Sequence, residues 1–210
     1  MSILQEISEF LQKGRAPVVK EKVQAALDEG IDAKAILEEG LMAGMSIVGE
    51  RFKNNQIFVP EVLMSARAMK MGAAVLQPHL AEGGAEERGV AVIGTVKGDL
   101  HDIGKNLVIM MLESKGIRVI DLGVDVPAER FVDSAVEHNA QVLCCSALLT
   151  STMGEMRKVV EYATERGVRD RFKIMVGGAP VTQSYCETVG ADCYTDDAAS
   201  AAEAALAYCN

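Results

Sequence analysis

The chain has 210 residues, 49% of them apolar and 24% charged, and a formal net charge of -9. That length and balance suit a globular protein with one medium domain and one small one. The acidic surplus gives no pull toward nucleic acid or an anionic membrane, so neither is an expected partner. No apolar run approaches the ~18 residues that would span a bilayer. Residues 1–10 mix apolar with polar and acidic side chains and lack the basic-then-apolar order of a signal peptide. The expected location is cytoplasmic. Cys144, Cys145, Cys186, Cys193 and Cys209 form no CxxC pair. They read as reduced, largely buried thiols, and a thiol catalyst is unsupported.

The first part, to about Leu80, reads as helical. Ile3, Leu4, Ile7, Phe10 and Leu11 recur at helical spacing, as do Val19, Val23, Ala26 and Leu27 after a first-turn Pro17. Asp32 is placed to cap a third helix with an apolar stripe of Ile36, Leu37, Leu41, Met45 and Val48. Asn54 and Asn55 interrupt it, and Pro60 opens a fourth helix through Val62, Leu63, Ala66, Met69 and Leu76. Four helices with short connections predict a small bundle over residues 1–80. Residues 81–89, glycine-rich and charged, read as a linker.

From Val90 short β-branched runs alternate with helical stretches. Strands are expected at Val90–Val96, Arg118–Leu122, Val142–Ala147, Lys173–Val176 and Cys193–Tyr194. Helices are expected near Gly104–Lys115, Ala128–His138, Thr152–Arg166, Thr182–Val189 and Ala198–Cys209. This alternation predicts an α/β domain over residues 90–210. It would be a doubly wound, five-stranded parallel sheet of the Rossmann-like, flavodoxin-like kind, covered on both faces. Such sheets bind ligands beyond the carboxyl ends of their strands, at the switch in strand order.

The segments after the strands therefore carry the chemistry. After the first comes a long loop holding Asp99, His101, Asp102, Ile103 and Gly104. A neutral imidazole is a good ligand for a transition metal. A carboxylate two residues earlier can take the other ring N–H and fix the tautomer. Read alone, the loop equally suits an ordinary helix cap beside a loop histidine. After the third strand, Ser146, Leu148, Thr150, Ser151 and Thr152 offer either a cap or a polar slot. After the fourth, Gly177-Gly178 gives space or a turn. The dinucleotide fingerprint is missing, because Gly94, Gly98 and Gly104 have the wrong spacing, and there is no Walker-A lysine pattern.

Together the three loops are more specific. Asp99-x-His101-x-x-Gly104, Ser146-x-Leu148 and Gly177-Gly178, separated by residues 105–145 and 149–176, resemble the signature of the cobalamin-binding domain of methionine synthase and the corrinoid methyl-carrier proteins. Val48-Gly49-Glu50-Arg51-Phe52 and Ile57-Phe58-Val59-Pro60-Glu61-Val62 look like the helical cap that precedes that domain.

The resemblance implies a cofactor, cobalamin or a related corrinoid, passing through methylcobalamin, hydroxocobalamin and cob(I)alamin forms. It implies that His101 is the lower axial cobalt ligand, displacing the corrinoid's own base, with Asp99 hydrogen-bonded to it. Thr152 would complete the relay where the family usually has serine, with Ser151 the neighbouring alternative. Ser146, Leu148, Thr150, Gly177 and Gly178 would line a slot for the displaced tail, and Phe52, Val59 and Val62 would cover the upper face. The implied function is a methyl carrier cycling between Co(I) and methyl-Co(III), a component of a methyltransferase system rather than a complete enzyme alone. Its partners would be a substrate-specific methyltransferase, a pterin- or thiol-specific methyltransferase and a reductive activase. The alternatives are a corrinoid-dependent sensor and a nucleotide-binding α/β enzyme.

Overall fold

The chain enters its first helix through a reciprocal cap. The Ser2 hydroxyl accepts the Gln5 N–H, while the Gln5 side chain accepts the Ser2 N–H, and α1 (Ile3–Gln12) follows. This computed structural model describes residues 2–83 and 87–209. Contacts divide the chain into two compact units, Met1–Glu86 and Glu87–Asn210.

In the first unit, α2 (Ala16–Asp28) starts with a proline in its first turn and packs against α5 (Val59–Gly83). Asp32 caps α3 (Ala33–Ala35) by accepting the Lys34 and Ala35 N–H groups, as its position predicts. The third helix is not uniform. After α3 the chain widens into a π-helical stretch, Ile36–Met42, before α4 (Ala43–Lys53). Fully buried Ile36 and Leu41 are five residues apart, the step of a π turn, and Leu37 is left only partly covered. α5 runs to Gly83 with Pro78 inside it, three residues into the stretch read as linker. The rest of that stretch falls partly on residues 84–86, outside the described residues.

In the second unit, β1 (Gly89–Thr95), β2 (Ile117–Asp121), β3 (Val142–Ser146), β4 (Lys173–Gly177) and β5 (Cys193–Tyr194) form one parallel sheet, in the order β2-β1-β3-β4-β5. β1 is the most buried strand, with six of its seven residues covered, as expected between two neighbours and two helical layers. One face carries α6 (Ile103–Ser114) and α10 (Ala198–Cys209). α7 (Ala128–Glu137) packs on β1, β3 and α8 (Gly154–Glu165), and α9 (Gln183–Val189) lies beside α8. Phe131, fully buried, centres the core around α7 and α8.

Burial pushes the Cys144 thiol up to about 12 and holds the Cys145 thiol well above its ordinary range, so neither offers a thiolate near neutrality. No helix among the described residues is long and apolar enough to cross a membrane.

Order reverses at β1: β2 lies on one side of it and β3 on the other. Thr95 is in register with Ser146, and Ser146 with Gly177. The three segments singled out in the sequence therefore leave the sheet side by side, at the switch point.

Candidate functional site

The site grows from the end of β1. The Asp99 N–H closes a turn onto the Val96 carbonyl at 3.1 Å, with Gly98 between them at φ +80. A side chain there would be strained, so the turn needs its glycine. Past the turn, the fully buried Thr95 hydroxyl donates to the His101 carbonyl at 2.8 Å.

Asp99 has no exposed surface, yet its carboxylate is well supplied with donors. Oδ1 accepts the His101 main-chain N–H at 3.1 Å and lies 2.7 Å from His101 Nδ1. Oδ2 accepts the Leu148 and Leu149 N–H groups at 2.8 and 3.1 Å and the Thr152 hydroxyl at 2.9 Å. Burial alone would raise this carboxyl. The hydrogen bonds from His101, Leu148 and Leu149 outweigh it and hold the group well below the usual carboxylate range.

An ionised Asp99 at Nδ1 calls for the proton on that nitrogen, which leaves the lone pair of the neutral ring on Nε2. The His101 side chain is 50% exposed. One nitrogen is thus fixed from inside the protein while the ring keeps an open side. Thr152 is buried and reaches Asp99; Ser151 is exposed. The hydroxyl partner in this geometry is Thr152.

Of the other residues named from the sequence, Asp102 stands at the N-cap of α6 without a side-chain capping bond, and its Oδ2 accepts the Asn106 side chain at 3.1 Å. Ile103 is 76% exposed. Gly104 and Gly177 have nothing within 4 Å of where a Cβ would stand. Alanine would favour the α6 helix at position 104, so the bare backbone there leaves room beside His101 at some cost in helix propensity. Gly178, at φ +133, presses against the residue that follows β3: a Cβ would fall 1.8 Å from the Ala147 carbonyl oxygen. Leu148 and Thr150 are exposed on the loop after β3. In the helical unit Val62 is fully buried, and Phe52 and Val59 are partly so.

The structure adds residues that the sequence did not single out. Leu100 is 71% exposed beside His101, and Leu149 and Val124 are exposed on the adjoining loops. Buried Lys105 holds both oxygens of Asp121 at 2.7 and 2.8 Å, tying the first turn of α6 to the end of β2. Asp121 reaches Lys105 only through the fold, and no spacing marks the hydroxyl of Thr95, the last residue of β1, for the His101 carbonyl.

Two family models, each described as a B12 binding domain, match residues 3–77 and 89–207. A corrinoid protein of Desulfitobacterium hafniense is 42% identical over 208 residues, covering 98% of this chain and 96% of its own. A dimethylamine corrinoid protein of Methanosarcina barkeri is 43% identical over 200 residues, covering 95% and 93%. Among solved structures, the methanol:cobalamin methyltransferase complex of Methanosarcina barkeri contains a chain that superposes with a TM-score of 0.87 at 32% identity, over 99% of this chain and 79% of that one. With both domain models matched in order and relatives similar along nearly their whole length, this chain belongs to the B12-binding family of corrinoid proteins.

Proposed function

We propose that this chain is the methyl-carrier subunit of a corrinoid-dependent methyltransferase system. The observation that carries the reading is the His101 ring, half exposed and held at Nδ1 by a fully buried carboxylate 2.7 Å away. Such a ring supplies one oriented donor. Among the described residues no group of three or more His, Cys, Asp or Glu stands where it could hold a metal ion. A metal whose in-plane ligands arrive with a macrocycle needs only that one donor from the protein.

Bound here, cobalamin or a related corrinoid would supply a cobalt that accepts and gives up methyl groups. The protein's part is to bind and orient it. His101 would be the protein's donor to that cobalt, with Asp99 and Thr152 holding its Nδ1 proton and its direction. Leu100, Ile103 and Leu148 offer apolar surface beside it, and Asp102 shapes the same loop. Gly104 and Gly177 would leave room for the detached base and tail, with Ser146 and Thr150 lining it, whereas the bare Gly178 lets its own backbone close onto Ala147. The support for Phe52, Val59 and Val62 on the upper side is the resemblance of their motifs.

The relatives, one of them from a methanol:cobalamin methyltransferase complex, support a methyltransferase partner, and the carrier reading extends this to the following set. A substrate-specific methyltransferase delivers the methyl group, from a methylamine, methanol, an O-methyl aromatic or a betaine. A pterin- or thiol-specific methyltransferase receives it, and a reductive activase rescues oxidised cobalt. A cytoplasmic setting suits the five reduced cysteines. Apoprotein incubated anaerobically with hydroxocobalamin is expected to carry stoichiometric red colour through gel filtration. A colourless protein peak would overturn the reading.

A further inference from the structure

We infer that Asp125 is a positioning residue for His101, acting through the main chain of the loop that carries it. The inference rests on the reading of His101 as the axial donor.

The segment after β2 runs alongside the segment after β1 beyond the end of the named strands. Val126 pairs with Val96 as a parallel bridge, and the Val126 N–H donates to the Thr95 carbonyl at 3.0 Å. Asp125 grips the next stretch twice. Its Oδ1 accepts the Gly98 N–H at 2.7 Å, and its own N–H donates to the Asp99 carbonyl at 3.0 Å. One residue thereby fixes both sides of the Gly98–Asp99 linkage, and Asp99 is the group that aims the imidazole.

The double grip requires an unusual backbone. Asp125 has φ +55, one of three non-glycine residues at positive φ among the described residues; the other two are asparagines, Asn55 and Asn139. Aspartate tolerates this region better than most side chains. Glycine would adopt it more readily but brings no acceptor for Gly98. The position therefore demands both the left-handed conformation and a side-chain oxygen.

Asp99 is anchored on its side-chain face, where Oδ2 takes the Leu148 and Leu149 N–H groups and the Thr152 hydroxyl. Asp125 supplies the anchor on the main-chain face, between Gly98 and Asp99. The Thr95 hydroxyl performs the matching task at the His101 carbonyl. Without Asp125 the Asp99–His101 bond and the Oδ2 anchors remain, but the main chain at Gly98–Asp99 gains freedom, which loosens the donor without removing it.

Two substitutions separate the acceptor from the conformation. Asp125→Gly keeps the positive φ and removes the oxygen; Asp125→Asn keeps both. The readouts are electron paramagnetic resonance of the holoprotein in its Co(II) form and amide exchange at Gly98 in the apoprotein. Asp125→Gly is expected to exchange faster at Gly98 and to shift the ratio of histidine-free to histidine-ligated Co(II) by about fivefold, the size of one exposed, charge-assisted hydrogen bond. Asp125→Asn is expected to match wild type in both. An Asp125→Gly spectrum identical to wild type, or an Asp125→Asn protein as impaired as Asp125→Gly, would overturn the positioning role. Wild-type Co(II) lacking nitrogen coupling would instead overturn the axial-donor reading on which the role depends.

Discussion

Replacing Asp99 by asparagine is expected to lower stability by about 3–5 kcal/mol and to weaken corrinoid retention, although the change is nearly isosteric. Every neighbour of this carboxylate is a donor. The His101 main-chain N–H and Nδ1 point at Oδ1, and the Leu148 N–H, the Leu149 N–H and the Thr152 hydroxyl point at Oδ2. An asparagine has one oxygen and one NH2. Whichever way it turns, the NH2 meets donors in a site closed to water.

The dependence on pH has a definite sign. The folded carboxyl is held below its unfolded value, so its stabilisation is complete above about pH 4 and fades as acid titrates the folded state. Urea unfolding of wild type and Asp99→Asn should show a constant gap from about pH 7 to about pH 4, narrowing below that. A gap under ~1 kcal/mol at neutral pH, smaller than one lost buried hydrogen bond, would contradict the account.

Gly178→Ala and Gly177→Ala are expected to fail in opposite ways. At Gly178 an alanine meets two penalties, a φ of +133 and a Cβ 1.8 Å from the Ala147 carbonyl oxygen. The obstacle is backbone just past the end of β3, which a rotamer change cannot relieve. We expect a loss of about 4 kcal/mol or more, read as a fall in thermal midpoint together with poor soluble yield. One residue earlier, at Gly177, a Cβ enters open space. Gly177→Ala should therefore fold with an unchanged midpoint yet retain less corrinoid, because the added methyl occupies room assigned to the cofactor's tail. Equal corrinoid retention by Gly177→Ala and wild type would remove that part of the slot. A Gly178→Ala protein as stable as wild type would show that β3 and β4 can part at their ends.

The α/β half was legible because its signals are local. Five short β-branched runs and the turns between them fix strands to within a residue or two, and a parallel sheet follows from their alternation with helices. The Asp99–His101 contact was legible for the same reason, since only Leu100 separates the partners in sequence. Thr152 was harder. Sequence offered Ser151 beside it, and only the turn after β3 decides which hydroxyl is buried. Asp125 gave no signal, because the sheet order brings near the main-chain atoms it binds, and Thr95, six residues from the His101 carbonyl it meets, reads in sequence as any other strand-end hydroxyl. The π-helical stretch was half visible: the five-residue step from Ile36 to Leu41 was present, but a stripe written with Leu37 included hides it. The extension of α5 to Gly83 contradicts a linker reading of those three residues. A glycine near a helix end suggests a stop, and here the helix runs as far as Gly83.

The most direct measurement uses histidine labelled with nitrogen-15 in the reconstituted Co(II) protein. If His101 is the axial donor, the nitrogen splitting in the electron paramagnetic resonance spectrum changes from a triplet to a doublet on labelling, and His101→Ala abolishes it. A triplet that survives labelling would mean that the corrinoid's own base still holds the cobalt, and the carrier mechanism built on His101 would be wrong.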